Sequence, residues 1–463
     1  MKIALFGGSF DPVGQHHLEI VKMLLNTDFF DQVVVVPCGP RPDKKSVNDI
    51  NPVYRATMLD ITFRGISEKI KIDLHDLEKD RFSTTFELEQ RYASQGEVWH
   101  VVGFDLVEGG RKNASPIQKE WANGRLLWEK SRFIVILRDG TLFSRADLPP
   151  TSQTFGPEIT GASSIIRNLV FNYQPIDNLV TPEVARYIER YSLYRGRLPL
   201  QKTLLRIDTP RLLVAADENN ASARDIKAQL RPFIDATKPN LIVDIGGDGN
   251  KLHAIRKYWR LRLPFLGINA GHRGYLLNDV DAATLFPLRD ALVIHYLPLL
   301  HVGIKTADGN WKTVFGFNEA WIERATGQSA WIELIRNNRD HIPKVVGDGL
   351  LISTAAGSTG YAKNIAGFSL PTHVRELLLV GMGIAEPSQW RNTIVSPHSV
   401  FEFKALNIAK RPVRAYVDGV PQGQIEYMRI RTSRIAAVEL AFIKGYDIAE
   451  KHTGIQLPYF EPI

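Results

Sequence analysis

Apolar positions in the first 200 residues fall into short runs separated by stretches with helical spacing. KIALF (2–6) reads as a short buried strand that runs directly into Gly7-Gly8. From His16 to Leu25, the apolar residues Leu18, Val21, Leu24 and Leu25 recur at helical intervals. DQVVVVP (31–37) carries four consecutive valines, the pattern of a central parallel strand covered on both faces. KIDLHDL (71–77), VWHVVGFD (98–105) and RFIVILR (132–138) are further strand candidates. Alternation of this kind predicts a doubly wound α/β sheet.

The stretch RGRLPLQKTLLRID (195–208) is basic and lacks periodicity, and a linker is read at 197–207. The strand–helix pattern then restarts with RLLVAAD (211–217), a helical stretch over 221–236, and NLIVDIGGDG (240–249). After about residue 290 the pattern becomes alternating, as in HVGIK (301–305), AWIEL (330–334), VRAYVDG (413–419) and AAVELAF (436–442), and predicts a β-rich part. The expected organisation is therefore an α/β domain at 1–196, the linker, a second α/β part at 208–290 and a β-rich part at 291–463. Heptads, low-complexity tracts and short repeats are absent from the sequence.

Composition narrows the function classes. Hydrophobic residues make up 44% of the 463 positions and charged residues 23%, enough apolar material for real cores. The formal charge of +7 suits anionic small molecules, and without a block of consecutive basic residues it does not call for nucleic acid. The single cysteine, Cys38, excludes an internal disulfide and a multi-cysteine metal site. The opening segment has too few apolar residues for a signal-peptide core, and no run of 18 apolar residues exists, so a cytoplasmic chain without a membrane span is expected. The 12 histidines show no H-E-x-x-H spacing. His16 and His17 are adjacent, and neighbours on a helix are expected to point apart, which argues against a metal pair.

Two groups of residues carry candidate chemistry. In GGSFDPVGQHHL (7–18), glycines follow a strand and open a helix. Such a turn lets the backbone approach a phosphate, and the helix start offers unpaired N–H groups and a positive dipole end. An imidazole from His16 or His17 could then bond a phosphate oxygen. In DIGGDG (244–249), a glycine turn after an apolar strand places the Asp248 carboxylate where it can touch a phosphate chain.

The first string resembles the motif G-G-[ST]-F-D-P-x-H-x-G-H of the nicotinamide/nicotinate mononucleotide adenylyltransferases. Gly7, Gly8, Ser9, Phe10 and His17 match it. Lys44 matches the family's loop lysine, Arg55 and Met58 an R-x-x-M helix, and Gly103 and Asp105 a G-x-D turn; Trp121 and the strand ending at Arg138 also fit. GASSIIR (161–167) is similar to S-S-T-x-I-R through Ser163, Ser164 and Arg167, and TPEVARYIERYSLY (181–194) resembles the closing helix. The resemblance covers about residues 1–196. It implies a Rossmann-like fold and transfer of AMP from Mg2+·ATP to the mononucleotide, with His17, Arg167 and Mg2+ neutralising charge. One departure stands out. The family's first histidine falls on Gly14 and its glycine on His16. Two readings follow: His16 supplies the missing imidazole, or the domain binds nucleotide without catalysing.

The second half resembles the NAD kinases. NAGHRGYL (269–276), FNEAWIER (317–324), GDGLLISTAAGSTGY (347–361), SPHS (396–399) and VDG (417–419) match their ordered motifs. The resemblance implies Asp248 as the carboxylate that accepts a proton from the adenosine 2′-hydroxyl of NAD during attack on the γ-phosphate of ATP. It implies substrate contacts from Gly246, Gly247 and Gly249, from Asn318 and Glu319 to the adenosine and ribose, and from Asp348 near the nicotinamide. Ser358, Thr359 and Tyr361 are expected to line the cleft. Ala355-Ala356 and Gly360 depart from the family's pattern. Related kinases imply a homo-oligomer.

Overall fold

A computed structural model describes residues 1–41, 50–137, 144–156, 161–200, 202–271, 274–371 and 374–446. The chain divides into two compact units, Met1–Leu200 and Gln201–Ile463.

The first unit alternates strands and helices: β1 (Lys2–Gly8), α1 (Gln15–Asn26), β2 (Gln32–Pro37), α2 (Pro52–Phe63), β3 (Ile70–Ile72), α3 (His75–Lys79), α4 (Thr85–Tyr92), β4 (Glu97–Gly103), α5 (Pro116–Glu120), α6 (Gly124–Lys130), β5 (Arg132–Ile136), β6 (Ser152–Phe155), α7 (Ser163–Phe171) and α8 (Pro182–Tyr191). The strands form one sheet in the order β3-β2-β1-β4-β5-β6, every pair parallel. The valine run of β2 is buried throughout, as a central strand with both faces covered requires. Strand order reverses direction between β1 and β4, so the carboxyl ends of these two strands, Gly8 and Gly103, flank the crevice where such sheets bind ligands. This is the expected Rossmann-like sheet. The segment 71–77, expected as a strand, is instead the short β3 followed by α3. Asp73 ends the strand by accepting a hydrogen bond from the His75 N–H at 3.0 Å.

Two longer helices of this unit carry side-chain caps at their starts. Asn51 accepts from the Val53 N–H and Pro52 opens α2, while Thr181 and Pro182 do the same for α8.

The second unit begins with β7 (Lys202–Leu205), inside the stretch read as linker. Four residues are too few for periodicity to show, and β7 is held by antiparallel pairing with β11. There follow β8 (Leu212–Ala216), α9 (Ala221–Gln229), β9 (Leu241–Gly246), α10 (Asp248–Tyr258), β10 (Phe265–Asn269), α11 (Ala282–Leu285), β11 (Leu292–Thr306), β12 (Trp311–Gly316), β13 (Glu319–Arg324), β14 (Ala330–Arg336), β15 (Asp340–Gly347), β16 (Gly349–Ser353), α12 (Tyr361–Ala366), β17 (Leu377–Met382), β18 (Thr393–Val395), β19 (Phe401–Ala405), β20 (Val413–Val417) and β21 (Val420–Phe442). Strands β8, β9 and β10 are parallel, and β10 pairs in parallel with the end of β21. The α/β part and the β-rich part are continuous. The long strands β11 and β21 pair with each other through both parts, with register shifts at Pro298/Leu300 and Lys305/Thr306. One apolar core lies under β8–β10, centred on Val243, Ile245 and Ile268. A second lies between the β-rich strands, centred on Ile322, Leu350 and Phe403.

Candidate functional sites

In the first unit the glycine turn after β1 is built from the inside. Phe10 (φ 45°) turns its ring into the core, edge-on to Phe6 at 5.2 Å and 4.7 Å from the His17 ring. Arg55 is fully buried. Its guanidinium donates to the carbonyls of Ser9 (3.0 Å) and Cys38 (2.8 Å), so it fixes the ends of β1 and β2 from below and presents no free face to a ligand. Phe10 and Arg55 thus shape the turn from within. Asp11, also buried, accepts from the Tyr194 hydroxyl at 2.7 Å and lies 3.9 Å from Arg167, whose guanidinium donates to the Asp11 carbonyl. Burial and the Asp11 carboxylate push the Tyr194 phenol well above its usual range, so it remains a donor. The Ser163 hydroxyl donates to the Pro12 carbonyl at 2.8 Å. These bonds dock the first turn of α7, with Ser164 exposed, against the 9–14 loop.

The histidines occupy the start of α1. The Gly14 N–H donates to His17 Nδ1 at 2.9 Å, so the neutral His17 ring carries its proton on Nε2. Burial, and secondarily His16, hold His17 well below the usual imidazole value and keep it neutral. The rings of His16 and His17 do not point apart. They lie 3.9 Å from each other, centroid to centroid, tilted by 40°. The reason is Gly14. Without a side chain there, the His16 ring folds back over the helix start, and a Cβ on Gly14 would lie 2.5 Å from His16 Cε1.

Beside the turn, a cavity of about 180 Å³ is lined by Gly7, Gly8, Cys38, Arg41, Phe82 and Trp121 among others. Asp76 also lines it and accepts from the Ser83 N–H and hydroxyl, each at 2.8 Å, and from Arg91 at 3.1 Å. Gly103 ends β4, where a Cβ would meet the exposed Asp105 carboxylate at 2.3 Å. Lys44 and Arg138 lie outside the described residues.

In the second unit, β9 ends at Gly246 (φ 157°) and Asp248 opens α10. Its two carboxylate oxygens accept from the backbone N–H groups of Tyr275 (3.0 Å) and Leu276 (3.1 Å). The strand-end turn and the loop after β10 thus hold the carboxylate between them. Gly247 and Gly249 have open space where a Cβ would stand. Beneath the turn Lys251 donates to Asp244 at 2.8 Å, with both side chains fully buried and Asp244 Oδ1 unbonded. Burial raises the Asp244 carboxyl against the opposing pull of Lys251. The sequence reading missed this pair, because an apolar strand with one Asp and a helix with one Lys give no sign that they meet.

A second cluster surrounds Asn318 and Glu319. Asp418 accepts from the N–H groups of Phe317 (2.7 Å), Asn318 (2.7 Å) and Glu319 (3.2 Å). On the other side, the Thr354 N–H donates to the Asn318 carbonyl at 2.8 Å, and a Cβ on Gly357 would meet that same oxygen at 2.3 Å. Asn318 Oδ1 and Glu319 Oε2 are buried and unbonded. Burial, then Asp418, pushes the Glu319 carboxyl up to about 8. Asp418 is itself raised by burial, and Arg256 on α10 opposes that shift. Tyr361, at the start of α12, packs 5.3 Å from Trp321, which stacks on Tyr416 at 4.9 Å.

Three expected contacts are used differently. Ser358 is fully buried; its hydroxyl donates to the Ala355 carbonyl and accepts from the Leu370 N–H, each at 2.7 Å, so it ties the turn together and does not line a cleft. Thr359 donates to the Ala356 carbonyl at 3.0 Å. Asp348 is exposed and paired with Arg324 at 2.6 Å.

Comparison with known proteins finds two family matches that overlap over residues 201–228. Residues 5–228 match the cytidylyltransferase-like family, and residues 201–293 match the ATP-NAD kinase N-terminal domain. The NAD kinase of Rickettsia rickettsii (strain Sheila Smith) is 31% identical over 212 residues, covering 46% of this chain and 83% of that protein. The NAD kinase of Rickettsia bellii (strain OSU 85-389) is 28% identical over 244 residues, covering 52% of this chain and 95% of that protein. The crystal structure of yeast NADH kinase complexed with NADH aligns with a TM-score of 0.49 at 16% identity, covering 57% of this chain and 92% of that one. With a cytidylyltransferase-like sheet ahead of it and a relative at this level of identity spanned over most of its length, the chain belongs to the NAD kinase family.

Proposed function

We propose that the chain is a bifunctional enzyme of dinucleotide synthesis: an adenylyltransferase that joins AMP from ATP to nicotinamide or nicotinate mononucleotide, followed by a kinase that phosphorylates the 2′-hydroxyl of NAD. The observation that carries the kinase reading is the Asp248 carboxylate, held by two backbone N–H groups at the mouth of an open glycine turn. In that reading Asp248 accepts the 2′-hydroxyl proton as the oxygen bonds to the γ-phosphorus and ADP leaves. Help of this kind typically contributes about 100–10,000-fold. Asn318 and Glu319, each with a buried unbonded oxygen, are the residues offered to the adenosine and ribose.

The transferase reading is supported by the converging starts of α1 and α7, by His17 with Nε2 as its donor, and by the presence of a cavity beside the turn. In it the mononucleotide phosphate attacks the α-phosphorus of ATP in line and pyrophosphate departs. His17 and Arg167 oppose the charge that builds there. Among the described residues no three His, Cys, Asp or Glu side chains are grouped to hold an ion. In this reading Mg2+ enters as part of the ATP substrate, bound by phosphate oxygens, where it offsets phosphate charge.

Incubating the whole chain with MgATP and each mononucleotide, and separating NAD from NADP over time, tests both reactions. Absence of NADP from supplied NAD sinks the kinase reading. Absence of pyrophosphate with both mononucleotides leaves the first unit as a nucleotide-binding domain, the alternative that the departure at Gly14 raises.

A further inference from the structure

We infer that His16 is a second phosphate-contacting catalytic residue of the first unit, and that Gly14 and Gly161 are the two walls of the slot that seats its ring. The inference rests on the transferase reading above. A Cβ on Gly14 would lie 2.5 Å from Cε1 and 2.6 Å from Nδ1 of His16. A Cβ on Gly161 would lie 2.9 Å from Nδ1. Gly161 also has φ 132°, a conformation that side chains disfavour. The ring is therefore gripped between the residue that caps α1 and a residue just ahead of α7. Its companion, the His17 ring, lies 3.9 Å away.

This seat places two imidazoles side by side where two helices begin and where Arg167 and Ser163 lock α7 to the loop. Single histidines at helix starts are common, but a ring that requires glycine at two separate positions is a built feature. The resembled motif has histidine at the position of Gly14 and glycine at that of His16. In this chain the two have exchanged, and the His16 imidazole fills the volume from which a residue-14 side chain would grow. Returning histidine to position 14 alone would collide with His16, whereas exchanging both residues removes that collision and leaves only the Ile166 Cδ1 atom, 3.0 Å from the new Cβ, to adjust.

The chemistry needs donors at that place. As a mononucleotide oxygen bonds to the α-phosphorus, the bond from that phosphorus to the bridging oxygen of pyrophosphate breaks, and the electron pair leaves with pyrophosphate. Negative charge grows on the oxygens around the phosphorus. An imidazole N–H stabilises that charge without transferring a proton, and loss of one such donor costs on the order of 100-fold or more in rate.

The test uses the full chain and follows pyrophosphate release from MgATP with each mononucleotide. NADP formation from NAD in the same samples serves as the folding control. His16→Ala should lower kcat by on the order of 100-fold, with KM for ATP moved by less than about threefold and the kinase rate unchanged. Gly14→His combined with His16→Gly should recover most of the loss, and Gly14→His alone should not reach the wild-type rate. A His16→Ala enzyme with wild-type kcat, or one altered in KM alone, overturns the assignment. A wild-type chain that releases no pyrophosphate overturns the transferase reading, and this inference with it.

Discussion

Asp248 and Glu319 are both carboxyls, and their surroundings give them opposite tasks. Asp248 is half-buried, with each oxygen accepting one backbone N–H, and in the kinase reading proposed above a second lone pair takes the substrate proton. Asp248→Asn should lower NADP formation by on the order of 100–10,000-fold while NAD binding, measured by calorimetry, stays within a few-fold. A variant with near-normal turnover would show that the base lies elsewhere. Glu319 is raised to about 8, so it is protonated in the folded chain at neutral pH. The unfolded chain ionises it near the ordinary 4.5. Stability from this group is thus full below that value and is lost as pH rises through about 8. Glu319→Gln imitates the protonated form. Thermal melts should show wild type losing stability relative to the variant from about pH 5 to about pH 8, then running parallel to it; parallel curves throughout would place the carboxyl at its ordinary value. The identity of both residues was legible in their motifs. Their environments were not, since Asp418 reaches Glu319 across 99 positions and Tyr275 reaches Asp248 across 27.

At the scale of elements, the strand–turn–helix unit β9–α10 hides its own anchor. Lys251, three residues into α10 from Asp248, reaches under the turn to Asp244, four residues before it. Lys251→Met leaves a buried carboxylate uncompensated and should cost about 3–5 kcal/mol in urea denaturation. Asp244→Val with Lys251→Leu should cost far less, because two apolar side chains remove the desolvation burden together. Equal losses in the single and double variants would mean that the pair is not coupled. Element identity was readable where apolar runs are dense. The valines of β2 and the run ending at Gly246 announce buried parallel strands. It was unreadable where polar residues interrupt the pattern. Arg429, Arg431 and Arg434 divide β21, a single strand of 23 residues, into pieces that look unrelated in the sequence. His16 shows the same limit in a helix: spacing alone sends adjacent side chains apart, and the missing side chains at Gly14 and Gly161 leave the room in which the two rings lie together.

At the scale of the molecule, two compact units meet at residue 200/201 and each carries one candidate site. Separately produced 1–200 and 201–463 should divide the activities, with pyrophosphate release in the first and NADP formation in the second. A silent second fragment that regains activity on mixing would show that the units depend on each other. Within the second unit no such cut exists at residue 290, where the character of the sequence changes. The last residues of β21 lie between β10 and β11, with Phe265 opposite Leu440 and Val293 opposite Phe442. Strand β10 in turn flanks β9, which ends at the Asp248 turn. During translation the Asp248 segment therefore leaves the ribosome nearly two hundred residues before the strand that closes its own sheet. Until residues 436–442 emerge, β10 presents an unfilled edge, the kind of surface on which partly made chains aggregate. A ribosome halted just short of them would hold every kinase motif named above and still lack the means to assemble the site.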